Sequence, residues 1–251
     1  MQTFFILPQF KRSNTGLGLE TARHIARLGA SKVILAVHNS AAGEVWPLDL
    51  ASTQSVLEFA EKAKKELERL DVLVLNAAHS VTVKTINHFL LAILLLPRLR
   101  QTGVDFPDRS SPPHLTVLTS QVHAWPEFPQ STDPRDIFVA LSDGATAKMD
   151  ERYPTTKLLN VYLTRELVEQ LYNNNEGKEG EPPVIGIEAL VFNLFKRLSA
   201  RKEEVGARTT VSAASAGVES HGKYMVSGVV TDEALSERVY NEEGRRIQKR
   251  L

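Results

Sequence analysis

The sequence predicts an α/β protein, a mostly parallel sheet with helices on both of its faces. Three observations predict it. Runs such as SKVILAV (31–37) and DVLVLNA (71–77) are apolar almost throughout, as strands are when a sheet is covered on both sides. Amphipathic stretches with helical spacing lie between those runs. Strand and helix alternate through most of the chain, and such alternation marks crossover connections and parallel pairing. No internal repeat divides residues 1–251, which are expected to form one domain.

TFFIL is the candidate first strand, but Pro8 follows it and cannot donate to a ladder. This strand and the region 38–50 are therefore expected to be irregular. A helix is predicted over 15–28, with Leu19, Ala22, Ile25 and Ala26 in one stripe and Gly29 as the stop. SKVILAV is a strand, and EVWPLDL (44–50) is a second, short one. The NSAAG between them is shorter than the dozen or more residues of a usual parallel crossover. Residues 53–69 suit an amphipathic helix with Val56, Leu57, Ala60, Ala63 and Leu67 inward. DVLVLNA is the next strand, and 87–100 a helix broken near Pro97. HLTVLTS (114–120) is a strand, 121–150 is irregular with short helices, and KLLNVYLTRELVEQLY (157–172) is a helix. PPVIGI opens a short strand, helices follow near 188–200 and 203–215, and a strand near 223–230. The charged C-terminus alternates in sign and reads as a solvated tail.

Basic and acidic residues balance at 30 each, without the basic excess of an electrostatic nucleic-acid binder. The absence of cysteine excludes disulfides, thiolate catalysis and cysteine-ligated zinc, and fits a reducing compartment. FLLAILLLP (89–97) is far shorter than the ~20 residues of a membrane span and reads as a buried helix or a membrane-facing patch. MQTFFILPQFKR carries its charge after its apolar run, the reverse of a secretory signal. The expectation is a cytoplasmic protein with no transmembrane span, no metal and no nucleic-acid partner; peripheral membrane association is the alternative.

In open parallel sheets, ligands bind beyond the carboxyl ends of the strands. Four polar features fall at such ends: the GLG turn at 16–18, Asp49, Asn76 and Ser120. Together they favour a shared cleft over separate caps. YPTTK sets Tyr153 and Lys157 four residues apart, on one helix face and ~6 Å apart along the axis. An ammonium beside a phenol favours the phenolate. Tyr153 can then exchange a proton with an alcohol or carbonyl near neutral pH, and the Ser120 hydroxyl can orient the same oxygen. Alone, a Tyr-x-x-x-Lys pair is usually structural.

The succession NTGLGLETARHIARLGASKVILAV, WPLDLAS, LDVLVLNAA, INHFLLAILLLP, LTVLTS, YPTTKLLNVYLTREL and HGKYM resembles the short-chain dehydrogenase/reductase superfamily. In detail it resembles the retinol-dehydrogenase-like and WW-domain-oxidoreductase-like branch in its filamentous-fungal form. The resemblance implies a three-layer α/β/α Rossmann-like fold and NADP as cofactor, with NAD the alternative. It implies Asn14, Gly16, Leu17 and Gly18 in the phosphate-binding turn, Asp49 and Leu50 at the adenine end, and Asn76 beside the adenosine ribose. Asn87 would anchor a water or backbone link to Lys157. Ser120 would orient the substrate oxygen, Tyr153 would be the acid/base, and Lys157 would contact the nicotinamide ribose. His38 stands where similar enzymes have an Arg on the NADP 2′-phosphate; it can replace that Arg only when protonated, and a structural histidine is the other reading. The implied reaction interconverts a secondary alcohol and a ketone on a small lipophilic substrate, in fungal secondary metabolism. A homo-oligomer remains open.

The chain also departs from that pattern. Arg12 falls at the first glycine of the turn, and the helix after His38 is missing. Leu75 and Ala78 replace the first Asn and last Gly of an Asn-Asn-Ala-Gly motif. The Pro-Gly motif and the threonine loop expected after PPVIGI are absent. Text close to the family flanks each gap, as when coding blocks are skipped or a gene decays. Weak cofactor binding is expected, and a catalytically silent homologue is the competing reading.

Overall fold

A computed structural model describes residues 3–7, 17–37, 45–76, 83–107, 111–145, 148–173, 183–190 and 200–251. Among them, β1 (Thr3–Leu7), β2 (Lys32–Val37), β3 (Val45–Pro47), β4 (Val72–Leu75), β5 (His114–Ser120), β6 (Val184–Leu190), β7 (Tyr224–Val226) and β8 (Val229–Val230) join one sheet. Their order is β3-β2-β1-β4-β5-β6-β7-β8. Every pairing is parallel except β7 with β8. Those two form a hairpin whose turn residues, Ser227 and Gly228, have φ of 54° and 77°, as its two-residue loop requires. The expected single strand at 223–230 is thus two.

The helices are α1 (Leu17–Arg27), α2 (Thr53–Glu66), α3 (Val83–Asp105), α4 (Ile137–Ser142), α5 (Arg152–Asn173), α6 (Ala200–Ala214), α7 (Glu237–Tyr240) and α8 (Glu242–Arg250). Alternate strand residues point to opposite faces of the sheet. Ile6, Leu35, Val74 and Leu118 pack with Leu17 and Ile25 of α1 and Ala207 of α6. Ile34, Leu73, Leu75 and Val117 pack with Phe59 of α2, Leu91 and Leu95 of α3, and the apolar side of α5. The sheet is therefore covered on both faces, as its continuous apolar strands demand. Short 3-10 turns and α4 occupy 121–142, as expected.

Several expectations are corrected. β1 is a regular central strand, not an irregular one: it pairs with β2 and β4, and Ile6 is fully buried. Pro8 lies outside the described residues. β3 pairs in parallel with the end of β2, Leu35 facing Val45, so the chain needs little axial return between them. The connection, 38–44, is outside the described residues. α3 runs unbroken through Pro97, because the loss of one backbone bond is outweighed by buried Leu95, Leu96 and Leu99. Leu57 faces outward, and Phe59 takes its place inside, edge-on to Trp46 with ring centroids 5.7 Å apart. β6 extends to Leu190, so 188–190 are strand, and 191–199 are outside the described residues. The C-terminal residues are not a solvated tail. Ile247 of α8 is buried, Gln248 donates to Glu166 (3.0 Å) and Glu169 (3.1 Å), and Arg250 donates to backbone carbonyls of 131–135.

The central strands are also tied at their starts. Asp71 Oδ2 accepts from the Thr3 amide (2.7 Å) and from Arg69 Nε (2.9 Å), with the carboxylate nearly buried. Asp71→Ala is expected to cost about 2–4 kcal/mol, because it leaves a buried amide and a guanidinium unpaired. Urea unfolding measures this, and a loss below about 0.5 kcal/mol, ordinary for a surface change, would remove Asp71 from the framework.

Candidate active site

Ser120 is the last residue of β5 and is fully buried. The chain turns there into a 3-10 helix, Gln121–Ala124, and the Ser120 hydroxyl caps it by accepting from the Val122 amide at 3.4 Å. α5 starts at Arg152, five residues earlier than KLLNVYL suggests, which carries Tyr153 onto the first turn and Lys157 onto the next. The Lys157 ammonium lies 5.6 Å from the Tyr153 ring centroid. Lys157 is fully buried and donates to the Leu118 carbonyl at 3.0 Å. Asn160 shares that carbonyl at 3.1 Å, and Thr119 donates to the Lys157 carbonyl at 2.7 Å. These bonds lock α5 to Leu118 and Thr119, the residues before Ser120, so Ser120, Tyr153 and Lys157 belong to one end of the sheet.

Burial pushes the Lys157 ammonium down to about 7. His88 of α3, missed in the sequence, is also buried; burial and then the charge of Lys157 hold its pKa down to about 3. The ring is therefore neutral, and it lies close enough to Lys157 to feel its charge. A histidine in the apolar run INHFLLAILL was the available signal.

Asn87, its neighbour, has both ends of its amide engaged elsewhere. It donates to the Leu50 carbonyl (2.9 Å) and accepts from the Thr53 hydroxyl (3.1 Å), tying α3 to the start of α2. Asp49 shapes the same turn: its carboxylate accepts from the Ala51 amide (2.9 Å), and its amide donates to Ser55 (3.0 Å). Asp49, Leu50 and Asn87 thus form one rigid corner at the carboxyl edge of the sheet.

Asn76 follows β4, one residue beyond the pairing of Leu75 with Leu7, at the point where the strand order reverses about β1. It is buried, and neither its amide nitrogen nor its oxygen has a hydrogen-bond partner among the described residues. A buried amide left open at a topological switch point fits a polar ligand. Leu17 and Gly18 open α1, and a helix N-terminus presents free amides to phosphate. Asn14, Gly16 and His38, with Arg12, lie outside the described residues. The described part of the cradle fits a dinucleotide. No group of residues arranged to hold a metal occurs among the described residues, and no described helix is long and apolar enough to cross a membrane.

A parallel sheet that reverses order at β1 is the doubly wound, Rossmann-like class of α/β protein. Residues 13–91 match the short chain dehydrogenase family. The short chain dehydrogenase/reductase dmxR8 of Cryptosporiopsis sp. (strain 8999) is 37% identical over 85% of this chain and 78% of its own length. The short chain dehydrogenase atnD of Emericella nidulans is 35% identical over 84% of this chain and 81% of its own. The chain belongs to the short-chain dehydrogenase/reductase family. Solved structures share the fold: carbonyl reductase Sniffer of D. melanogaster (TM-score 0.64, 13% identity, 92% of this chain and 98% of that one) and the 3-alpha-hydroxysteroid dehydrogenase of Pseudomonas sp. B-0831 complexed with NADH (TM-score 0.62, 17% identity, 90% and 94%).

Proposed function

We propose that this chain, as one cytoplasmic domain, interconverts a secondary alcohol and a ketone on a small lipophilic substrate with NADP(H), in fungal secondary metabolism. The observation that carries the reading is the joint placement of Ser120, Tyr153 and Lys157: a strand end and two helix turns locked through Leu118 and Thr119. When bound, the nicotinamide supplies or accepts the hydride. Leu17, Gly18 and Asn76 would hold the dinucleotide, with Asp49 and Leu50 at its adenine end and Asn14, Gly16 and His38 completing the cradle. Ser120 orients the substrate oxygen. Tyr153 gives that oxygen a proton in reduction and takes it back in oxidation. Lys157 holds the ribose and favours the ionised Tyr153. Asn87 acts by holding the corner at Leu50 and Thr53. His38 carries charge only when protonated, so NAD is the alternative cofactor.

A silent homologue is the second reading. The observation in its favour is β6, which runs through Glu188 to Leu190 where the family has its Pro-Gly contact to the nicotinamide. The test is NADPH and NADH consumption with a panel of lipophilic ketones, beside calorimetric titration of each cofactor. Turnover with a Kd weaker than about 1 µM is expected, since each lost contact of ~1.4 kcal/mol is tenfold. Binding without turnover on any ketone establishes the silent reading, and sub-micromolar binding shows that the missing blocks matter little.

A further inference from the structure

The residues after Ser120 fold straight back over the strand end, which brings His123 against the serine it follows. The His123 ring is 1% exposed. Its Nε2 accepts from the Ser236 amide at 3.2 Å. An amide N–H donates and does nothing else, so Nε2 carries a lone pair. The ring proton then sits on Nδ1, 2.9 Å from the Ser120 carbonyl, which can only accept. The Tyr224 hydroxyl lies 3.3 Å from the same Nδ1, and the two rings meet edge-on, 5.4 Å between centroids at 60°. A second proton would set Nε2–H against the Ser236 N–H, and burial also pushes the imidazole pKa down. The ring is a neutral peg with one allowed tautomer.

The loop beyond it has separate anchors. Arg238 donates to the Pro126 and Glu127 carbonyls, and Arg250 to those of Ser131, Asp133 (2.7 Å) and Arg135 (2.9 Å). Loss of the imidazole therefore leaves the loop held and Ser120 still paired with Leu190 in the sheet, and removes the bond that fixes the Ser120 carbonyl. We infer that His123 is a positioning residue for Ser120, fixing the serine carbonyl to β7 and to the segment entering α7, and through it the direction of the Ser120 hydroxyl.

This role rests on the reductase reading, and two measurements keep the two apart. The first is independent of turnover: ¹⁵N–¹H correlation spectra of the wild-type imidazole are expected to show neutral, Nδ1-protonated His123 at every pH from mildly acid to neutral. An Nε2-protonated tautomer, or ordinary titration near ~6.5, overturns the inference. The second compares His123→Leu with His123→Asn, whose side-chain amide can donate from the Nδ1 position. The leucine variant is expected to lower kcat on the order of 10-fold or more, as misplacement of a reacting group does, with cofactor Kd unchanged; the asparagine variant is expected to recover most of kcat. Equal kcat in wild type and His123→Leu, or equal losses in both variants in step with their melting temperatures, overturns the positioning role. An inactive wild type with the expected tautomer overturns the reductase reading and the role with it, whereas an active wild type insensitive to His123→Leu overturns the role alone.

Discussion

Tyr153→Phe is expected to lower turnover by about 10²- to 10⁴-fold, the range of a lost general acid–base. The phenylalanine ring keeps the bulk on the first turn of α5 and keeps the contact with the Lys157 ammonium, 5.6 Å from the ring centroid. Folding and cofactor affinity should therefore survive, and the loss should fall on kcat. Lys157→Ala should behave differently. It removes the buried ammonium that donates to the Leu118 carbonyl and would hold the ribose, so both kcat and cofactor affinity should fall. Ser120→Ala should cost less than either, because in the proposed mechanism Tyr153 would still reach the substrate oxygen. The measurement is steady-state ketone reduction with each purified variant beside cofactor titration. Near-full kcat in Tyr153→Phe would remove Tyr153 from the chemistry.

The second large effect concerns stability. Glu188 of β6 is fully buried, pairs in register with Leu118 and Met225, and faces α6. Neither carboxyl oxygen has a properly formed hydrogen bond among the described residues. Burial raises its pKa from 4.5 to about 8, against a smaller opposing pull from the Ser227 and Gly228 amides and the Thr209 hydroxyl. The carboxyl is protonated in the fold and ionised in the unfolded chain between those two values. The unfolded state then binds fewer protons, so the stability this group contributes is full below pH 4.5 and is lost as pH rises to about 8. Glu188→Gln keeps the shape without the charge. It should match wild type near pH 4 and exceed it by a few kcal/mol at pH 8. Lys157 gives the opposite slope at higher pH: its pKa is lowered to about 7, so protonation costs the fold, and stability from this group rises between about 7 and 10.5. Urea unfolding across this pH range reads both. Parallel wild-type and Glu188→Gln curves would show that the carboxyl is solvated.

Much of this was legible from local pattern. Strand runs at 31–37 and 114–120 and the helices about YPTTK and GLG depend on spacing among near neighbours, and local sterics and periodicity set them. The Tyr153–Lys157 pair was legible for the same reason, since one helical turn separates them. Proline and charge patterns misled where packing overrode them. Pro97 sits inside α3 because its neighbours are buried. The charged end of the chain docks because Gly244, Ile247 and Gln248 share one inward face of α8.

By itself, the sequence determined the alternation of strands and helices, the family and the one-turn spacing of Tyr153 and Lys157. Tertiary structure alone decided the rest. It placed TFFIL at the centre of the sheet, left the Asn76 amide without a partner among the described residues at the switch point, turned Asn87 towards Leu50, and closed His123 over Ser120 with the help of a residue 113 positions away. The physical reason is range. Backbone propensity is exhausted within a few residues, whereas strand order and the partners of buried polar groups depend on which distant segments exclude water together.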